Sequence, residues 1–236
     1  MIIDIITIFP GMFSPIVDES IIKRARNKGL LKIILHNLRD YSDDPHKKID
    51  APPYGGGPGM VFKPDPLFEA VESILGYRLY PKSKEKKDRK KRIILFSPKG
   101  KLCTQRVIKK MLRYERLILL APRYEGVDER VRKHLAEEEI SIGDYVLSGA
   151  ELACMVFIDC LTRLLPGVVS EPQSIKEESF ENNTLDYPVY TRPHDFRGLK
   201  VPAVLLSGDH HKISRWRKNK AEELTKKLRP DLWHAK

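Results

Sequence analysis

Two polar, glycine-punctuated segments, RYEGVDERV (Arg123–Val131) and SIGDYVLSG (Ser141–Gly149), lie between a strand-like apolar run, Leu117–Ala121, and a long apolar helix candidate, Glu151–Leu165. A loop held between core elements must satisfy its own N–H and C=O groups. When such a loop is also rich in Gly, Tyr and carboxylates, it is a place for function more than for packing. A third segment of this kind, Tyr54–Gly59 (YGGGPG), lies far upstream. Together the three predict several backbone-lined loops converging on one ligand.

Around these loops the chain alternates strands and helices. Ile2–Ile8, Leu31–Leu38, Arg92–Ser97 and Leu117–Ala121 read as buried strands. Phe13–Gly29, Pro66–Leu75 and Gln105–Arg113 have helical spacing, the first closing at Gly29, a helix-stop residue. This order predicts an α/β domain with a mainly parallel sheet. Asp40–Pro64 exceeds the usual loop length, which marks it as functional. Glu151–Leu165 is apolar nearly all round, so it must be buried by other elements or by a second subunit. Beyond it the composition turns polar and acidic. The predicted organisation is a main domain over 1–167, a flexible linker over 168–187, and a small, basic, helical domain over 188–236.

Charge sharpens that division. The net charge of +11 is concentrated in two places: Lys82–Arg92 holds eight basic and two acidic residues, and Lys200–Lys236 holds ten basic and four acidic. The remainder is close to neutral. Two positive patches suit capture of a polyanion; a heat-adapted, Lys- and Glu-rich surface is the competing explanation. Neither segment has an apolar face for a membrane, and no run approaches the ~20 apolar residues of a span. The start, MIIDIITIFPGMF, has no basic leader and reads as a strand. Cys103, Cys154 and Cys160 form no CxxC pair, as expected of reduced cytoplasmic thiols. No P-loop or dinucleotide fingerprint is present, and the seven His lack metalloenzyme spacing.

YGGGPGM (Tyr54–Met60), FSPKG (Phe96–Gly100), RYEGVDERV, SIGDYVLSGAEL (Ser141–Leu152) and YTRP (Tyr190–Pro193) occur in this order, framed by TIFP (Thr7–Pro10) and LLSGDH (Leu205–His210). The set resembles the bacterial tRNA (guanine-N1)-methyltransferases, the TrmD type of the SPOUT superfamily, over nearly the whole chain. The resemblance implies a SPOUT-type domain threaded through a trefoil knot, a feature sequence physics alone never predicts. It implies a cytoplasmic homodimer that uses S-adenosylmethionine (AdoMet), depends on Mg2+, and methylates N1 of guanosine 37 in tRNA, with the domain over 188–236 binding the tRNA. By matching position, the cofactor pocket comprises Ser97, Pro98, Pro122, Glu125, Ile142, Gly143, Asp144, Tyr145, Val146 and Leu147. Apolar Ile142 and Leu147 would sandwich the adenine, Gly143 lets backbone approach it, and Glu125 meets the positive amine. Two positions depart from the family pattern. Pro122 replaces a Gly, losing an N–H but keeping its carbonyl, and Ala150 replaces a Gly in SGGEL.

Methylating guanine N1 requires removing its proton while charge spreads onto O6, so the site needs a carboxylate and a cationic donor. Matched to the family, Arg163 is the donor and binds the guanine. The family's E-D-S-F motif reads Glu177-Glu178-Ser179-Phe180 here, so Glu178 stands at the position of the base, with Glu177 as its rival. A knotted ribose 2′-O-methyltransferase and an RNA-binding protein without catalysis are the alternatives.

Overall fold

The computed structural model describes residues 1–80, 88–171 and 178–234. The chain divides into two compact units, Met1–Ser170 and Glu171–Lys236.

The first unit is built on a five-stranded sheet of β1 (Ile2–Thr7), β2 (Lys32–Asn37), β5 (Lys91–Leu102), β6 (Arg116–Leu120) and β7 (Glu138–Ser141). Their order is β2-β1-β6-β5-β7, and every pairing is parallel. Ile3, Ile5, Ile94 and Leu117–Leu120 are completely buried, as expected of parallel strands covered on both faces. A short ladder of β3 (Asp50–Ala51) and β4 (Val61–Phe62) stands apart. One sheet face packs against α3 (Pro64–Leu75) and α5 (Glu129–His134) through Leu67, Val71 and Val131. Elsewhere Phe96 meets Phe157 of α6 (Glu151–Thr162) edge-on, with ring centroids 5.5 Å apart.

A charged cluster crosses the sheet. Asp4 on β1 is fully buried, accepting from Arg116 Nε at 2.6 Å and Nη2 at 3.1 Å, and lying 2.9 Å from His36 Nε2. Burial pushes the Asp4 carboxyl up, but the His36 and Arg116 contacts outweigh it and hold the group below the usual carboxylate range.

Four expectations are corrected. The segment Phe13–Gly29 is two helices, α1 (Ser14–Val17) and α2 (Ser20–Asn27), broken where Ser20 takes a positive φ of 49°. The strand at Arg92–Ser97 runs on to Leu102 through an irregularity after Phe96. Gly100 permits this, because a Cβ there would sit 2.4 Å from the Ile140 backbone nitrogen. The basic segment 82–92 is not one insertion: Lys91 and Arg92 belong to β5, and Arg92 binds Glu138 at 2.6 Å, while 81–87 lie outside the described residues. The second unit is not wholly helical. It contains a hairpin of β8 (Asp195–Phe196) and β9 (Leu199–Lys200) before the helices Ala203–Leu206, His210–Leu228 and Pro230–His234. Among the described residues, no helix is long and apolar enough to cross a membrane.

Candidate functional site

A pocket of about 340 Å³ opens at the carboxyl ends of β6 and β7, beside the irregularity of β5 after Phe96. Ligands of open parallel sheets bind outside the carboxyl ends of the strands. Its walls are Leu95–Lys99, Pro122–Val127 and the loop after β7 from Ile142 to Ala150, Asp144 excepted. Backbone hydrogen bonds hold these segments together. The Glu125 N–H donates to Met60 O, Phe62 N–H to Gly126 O, and Asp128 N–H to Phe62 O, each at 3.0 Å. The upstream Gly-rich segment is therefore tied to RYEG, and Gly59 makes room for it: a Cβ there would lie 2.6 Å from Glu125 Oε1. The loop after β7 is braced from within, with Ser141 Oγ donating to Gly143 O at 3.0 Å and Tyr145 OH to Ile142 O at 3.2 Å.

The structure brings together most of the residues expected at the cofactor. Ser97, Pro98, Pro122, Glu125, Ile142, Gly143, Tyr145, Val146 and Leu147 all line the pocket. Asp144 sits in the same loop but is not in the wall. The Pro122 carbonyl already accepts the Ala150 N–H at 2.9 Å, so one of its lone pairs is committed to closing the loop. Arg163 caps the far end of α6. The pocket meets α6 at Ala150 and Ala153, so Arg163 lies about 20 Å from Ala150 along the axis at 1.5 Å per residue. Glu178 belongs to the second unit, and Glu177 lies outside the described residues.

Sequence reasoning missed the brace behind the pocket. Glu151, at the head of α6, is completely buried. It accepts from Arg123 Nε at 3.0 and 3.2 Å and from Thr7 Oγ1 at 3.1 Å. Thr7 Oγ1 in turn accepts the Phe9 N–H at 3.0 Å, and the Arg123 guanidinium lies 4.4 Å from the Phe9 ring centroid. Gly149 must lack a side chain here, since a Cβ would approach Glu151 Oε2 to 2.4 Å. An acidic residue opening an otherwise apolar helix, with an Arg in RYEG, was the available signal.

The pocket combines apolar walls with acidic groups. Leu95, Phe96, Ile140, Ile142 and Leu147 line it, together with Glu125, Glu129 and Glu139 and the cations Lys99, Arg123 and Arg132. Glu139 Oε1 is buried and has no hydrogen-bond partner among the described residues, while its other oxygen lies 3.5 Å from Arg132. The Arg132 guanidinium bound to Glu129 holds that carboxyl at about 2, so it stays ionised. A cavity of this size, apolar with a few convergent charged groups, fits a drug-sized ligand that carries polar groups of its own. The thiols take no part: burial pushes Cys103 up to about 11 and Cys154 well above its ordinary value.

Comparison with known proteins identifies the family. The model of the family described as tRNA (Guanine-1)-methyltransferase TrmD matches residues 1–235. A protein of Caldanaerobacter subterraneus subsp. tengcongensis is 50% identical over 232 residues, 98% of this chain and 91% of the relative. One of Dictyoglomus turgidum is 50% identical over 230 residues, covering 98% and 89%. One of Moorella thermoacetica is 50% identical over 234 residues, covering 98% and 90%. All three are named tRNA (guanine-N(1)-)-methyltransferase. The pocket at the strand ends thus lies in a chain that belongs to the tRNA (guanine-1)-methyltransferase TrmD family.

Proposed function

We propose that this chain methylates N1 of guanosine 37 in tRNA, with AdoMet as methyl donor. The observation that carries this is the family match over residues 1–235, on a chain whose strand-end pocket joins apolar walls to three carboxylates. AdoMet supplies a methyl group on a sulfonium, which leaves as a neutral thioether. Ile142 and Leu147 hold the adenine, Gly143 admits it to the backbone, and Glu125 faces the amine. Glu178 takes the N1 proton as the new bond forms, and Arg163 donates to the charge developing on O6.

Arg163 is at the wrong end of α6 to serve the pocket of its own chain. We therefore read the site as completed by a second copy. In support, α6 leaves Leu152 and Val156 half exposed, on the same stripe as the exposed Asp159, while most of its other residues are buried. In such a homodimer Arg163 and Glu178 act on the partner's cofactor. Mg2+ is a different matter. Among the described residues there is no group of three or more His, Cys, Asp or Glu that fits a metal ion, and no step is routed through one. A cytoplasmic location belongs to this reading, supported by a tRNA substrate and by cysteines that are free.

The test is methylation of a tRNA transcript with guanosine at 36 and 37, against one with guanosine 37 replaced, followed by mass analysis of the nucleosides. 1-Methylguanosine only in the first transcript is the expected result. A ribose-methylated product would assign the chain to 2′-hydroxyl chemistry. Binding of tRNA without AdoMet binding or transfer would make it a non-catalytic RNA-binding protein.

A further inference from the structure

The second unit carries a feature that the proposed reaction does not use. Its hairpin turns through Arg197 (φ 55°) and Gly198 (φ 86°), the two left-handed residues that a tight two-residue turn requires. The turn is fixed by the Gly198 N–H donating to Asp195 Oδ1 at 2.9 Å, and the base of the hairpin by Val201 N–H donating to His194 O at 2.9 Å. Phe196 and Leu199 are directly paired across it, which puts both side chains on one face. They are 55% and 74% exposed. Beside them runs Tyr190, which packs against Trp216 of the helix His210–Leu228 with centroids 6.3 Å apart and remains half exposed.

These residues enclose an open cleft of about 380 Å³, bounded also by Arg192 and Lys200. The Arg197 guanidinium lies 5.2 Å from the Phe196 ring centroid. An aromatic ring on the hairpin and a second beside it, bordered by Arg192 and Lys200 with Arg197 next to Phe196, match an unpaired nucleotide. The base stacks on a ring, and the cations meet its phosphates. The charge of the region favours RNA over a protein partner, since Lys200–Lys236 carries ten basic residues against four acidic.

We propose that the cleft between Tyr190 and Phe196 is a stacking site for an unpaired base of the tRNA. This inference rests on the proposed function and goes beyond it. The site is separate from the methyl-donor pocket, and Phe196 is a specificity residue that grips RNA without touching the reacting atoms.

The experiment measures tRNA affinity of the full chain by fluorescence anisotropy at several salt concentrations, with AdoMet affinity and solution mass alongside. Phe196→Ala should weaken tRNA binding about tenfold, the usual worth of one stacked base, with an unchanged salt slope. Phe196→Trp should restore it. Arg192→Gln should weaken binding and reduce the salt slope by about 1, the mark of one lost phosphate contact. Phe196→Ala binding tRNA as the parent does overturns the proposal. So does a loss that travels with a changed solution mass, because the cleft is then a protein contact. Should the Phe196 variant fail to fold, Tyr190→Ala carries the same expectation. A parent that methylates tRNA beside an unaffected Phe196→Ala sinks this inference alone. A parent that binds no tRNA sinks the proposed function with it.

Discussion

The two units of this chain solve opposite problems. Met1–Ser170 closes a parallel sheet under helices and leaves one concave pocket with carboxylates in its wall. In Glu171–Lys236, Thr225 is the only buried residue among those described, and the long helix His210–Leu228 is studded with Lys and Arg. The first unit is shaped from inside, by apolar burial and by charges that must be paired because they are out of water. The second is shaped at its surface, where cations and aromatic rings stay exposed. A small cation calls for the former and a large polyanion for the latter. The division of labour is thus written in burial as much as in charge.

The largest effects should come from residues that test whether both units act in one step. Arg163→Ala should lower the single-turnover rate about 10²–10³-fold, as loss of a donor to a developing oxyanion does. Glu178→Gln should slow it about 10²-fold while tRNA and AdoMet still bind. A full rate for Glu178→Gln beside a slow Glu177→Gln would move the base by one residue. Full rates for both would leave the chemistry to the pocket unit alone and break the comparison.

A smaller effect should separate the units by stability. Asp4→Asn removes a buried charge facing Arg116, whose side chain is only a quarter exposed, and should cost about 2–3 kcal/mol in denaturant unfolding of the first unit. Because the Asp4 carboxyl is held below its ordinary value, its contribution is present at neutral pH. It begins to fade as pH falls below about 4, the range of an unfolded Asp, and is lost through the lower folded value. The parent should therefore lose stability over that range more steeply than Asp4→Asn. Equal acid profiles would show that the charge is not linked to folding.

The smallest effect belongs to the second unit. Thr225 Oγ1 accepts the Leu185 N–H at 2.8 Å and donates to Ala221 O at 2.7 Å. Thr225→Val strands that N–H and should cost about 1–2 kcal/mol. Hydrogen exchange should show faster exchange at Leu185 with no change at Asp4. Protection lost equally in both units would mean that they unfold together.

How much of this was legible depended on whether a signal was local. The strands β1 and β6 announced themselves because parallel strands covered on both faces are apolar runs; β2 read as a buried strand too, but at the sheet edge none of its residues is buried. The loop Ile142–Leu147 was legible from its glycine and from the family motif. Strand β7, of sequence EEIS, was not, since its charges are matched by cations from elsewhere in the chain, Glu138 by those of β5 and Glu139 by Arg132 of α5. Glu138 binds both Arg92 and Lys101, and these contacts outweigh burial to keep its carboxyl low. No single stretch of sequence displays that pairing. The brace behind the pocket is hidden for the same reason: Thr7 and Glu151 are 144 residues apart. The break at Ser20 leaves the helical spacing around it intact, so periodicity ran straight through.

The helix α6 has a consequence of its own. It begins at the pocket and ends at a guanidinium, so it behaves as a spacer with a different tool at each end. Two such helices laid side by side in opposite directions, as a two-fold axis perpendicular to them gives, put each tail beside the other's head. In the pairing proposed above, the length of α6 is a gauge that sets where the partner's cation arrives. Adding one turn would shift Arg163 by about 5.4 Å, enough to take it out of hydrogen-bond range without altering either pocket. The calibration of the active site would then reside in the number of residues between Glu151 and Arg163, a quantity that no single side chain carries.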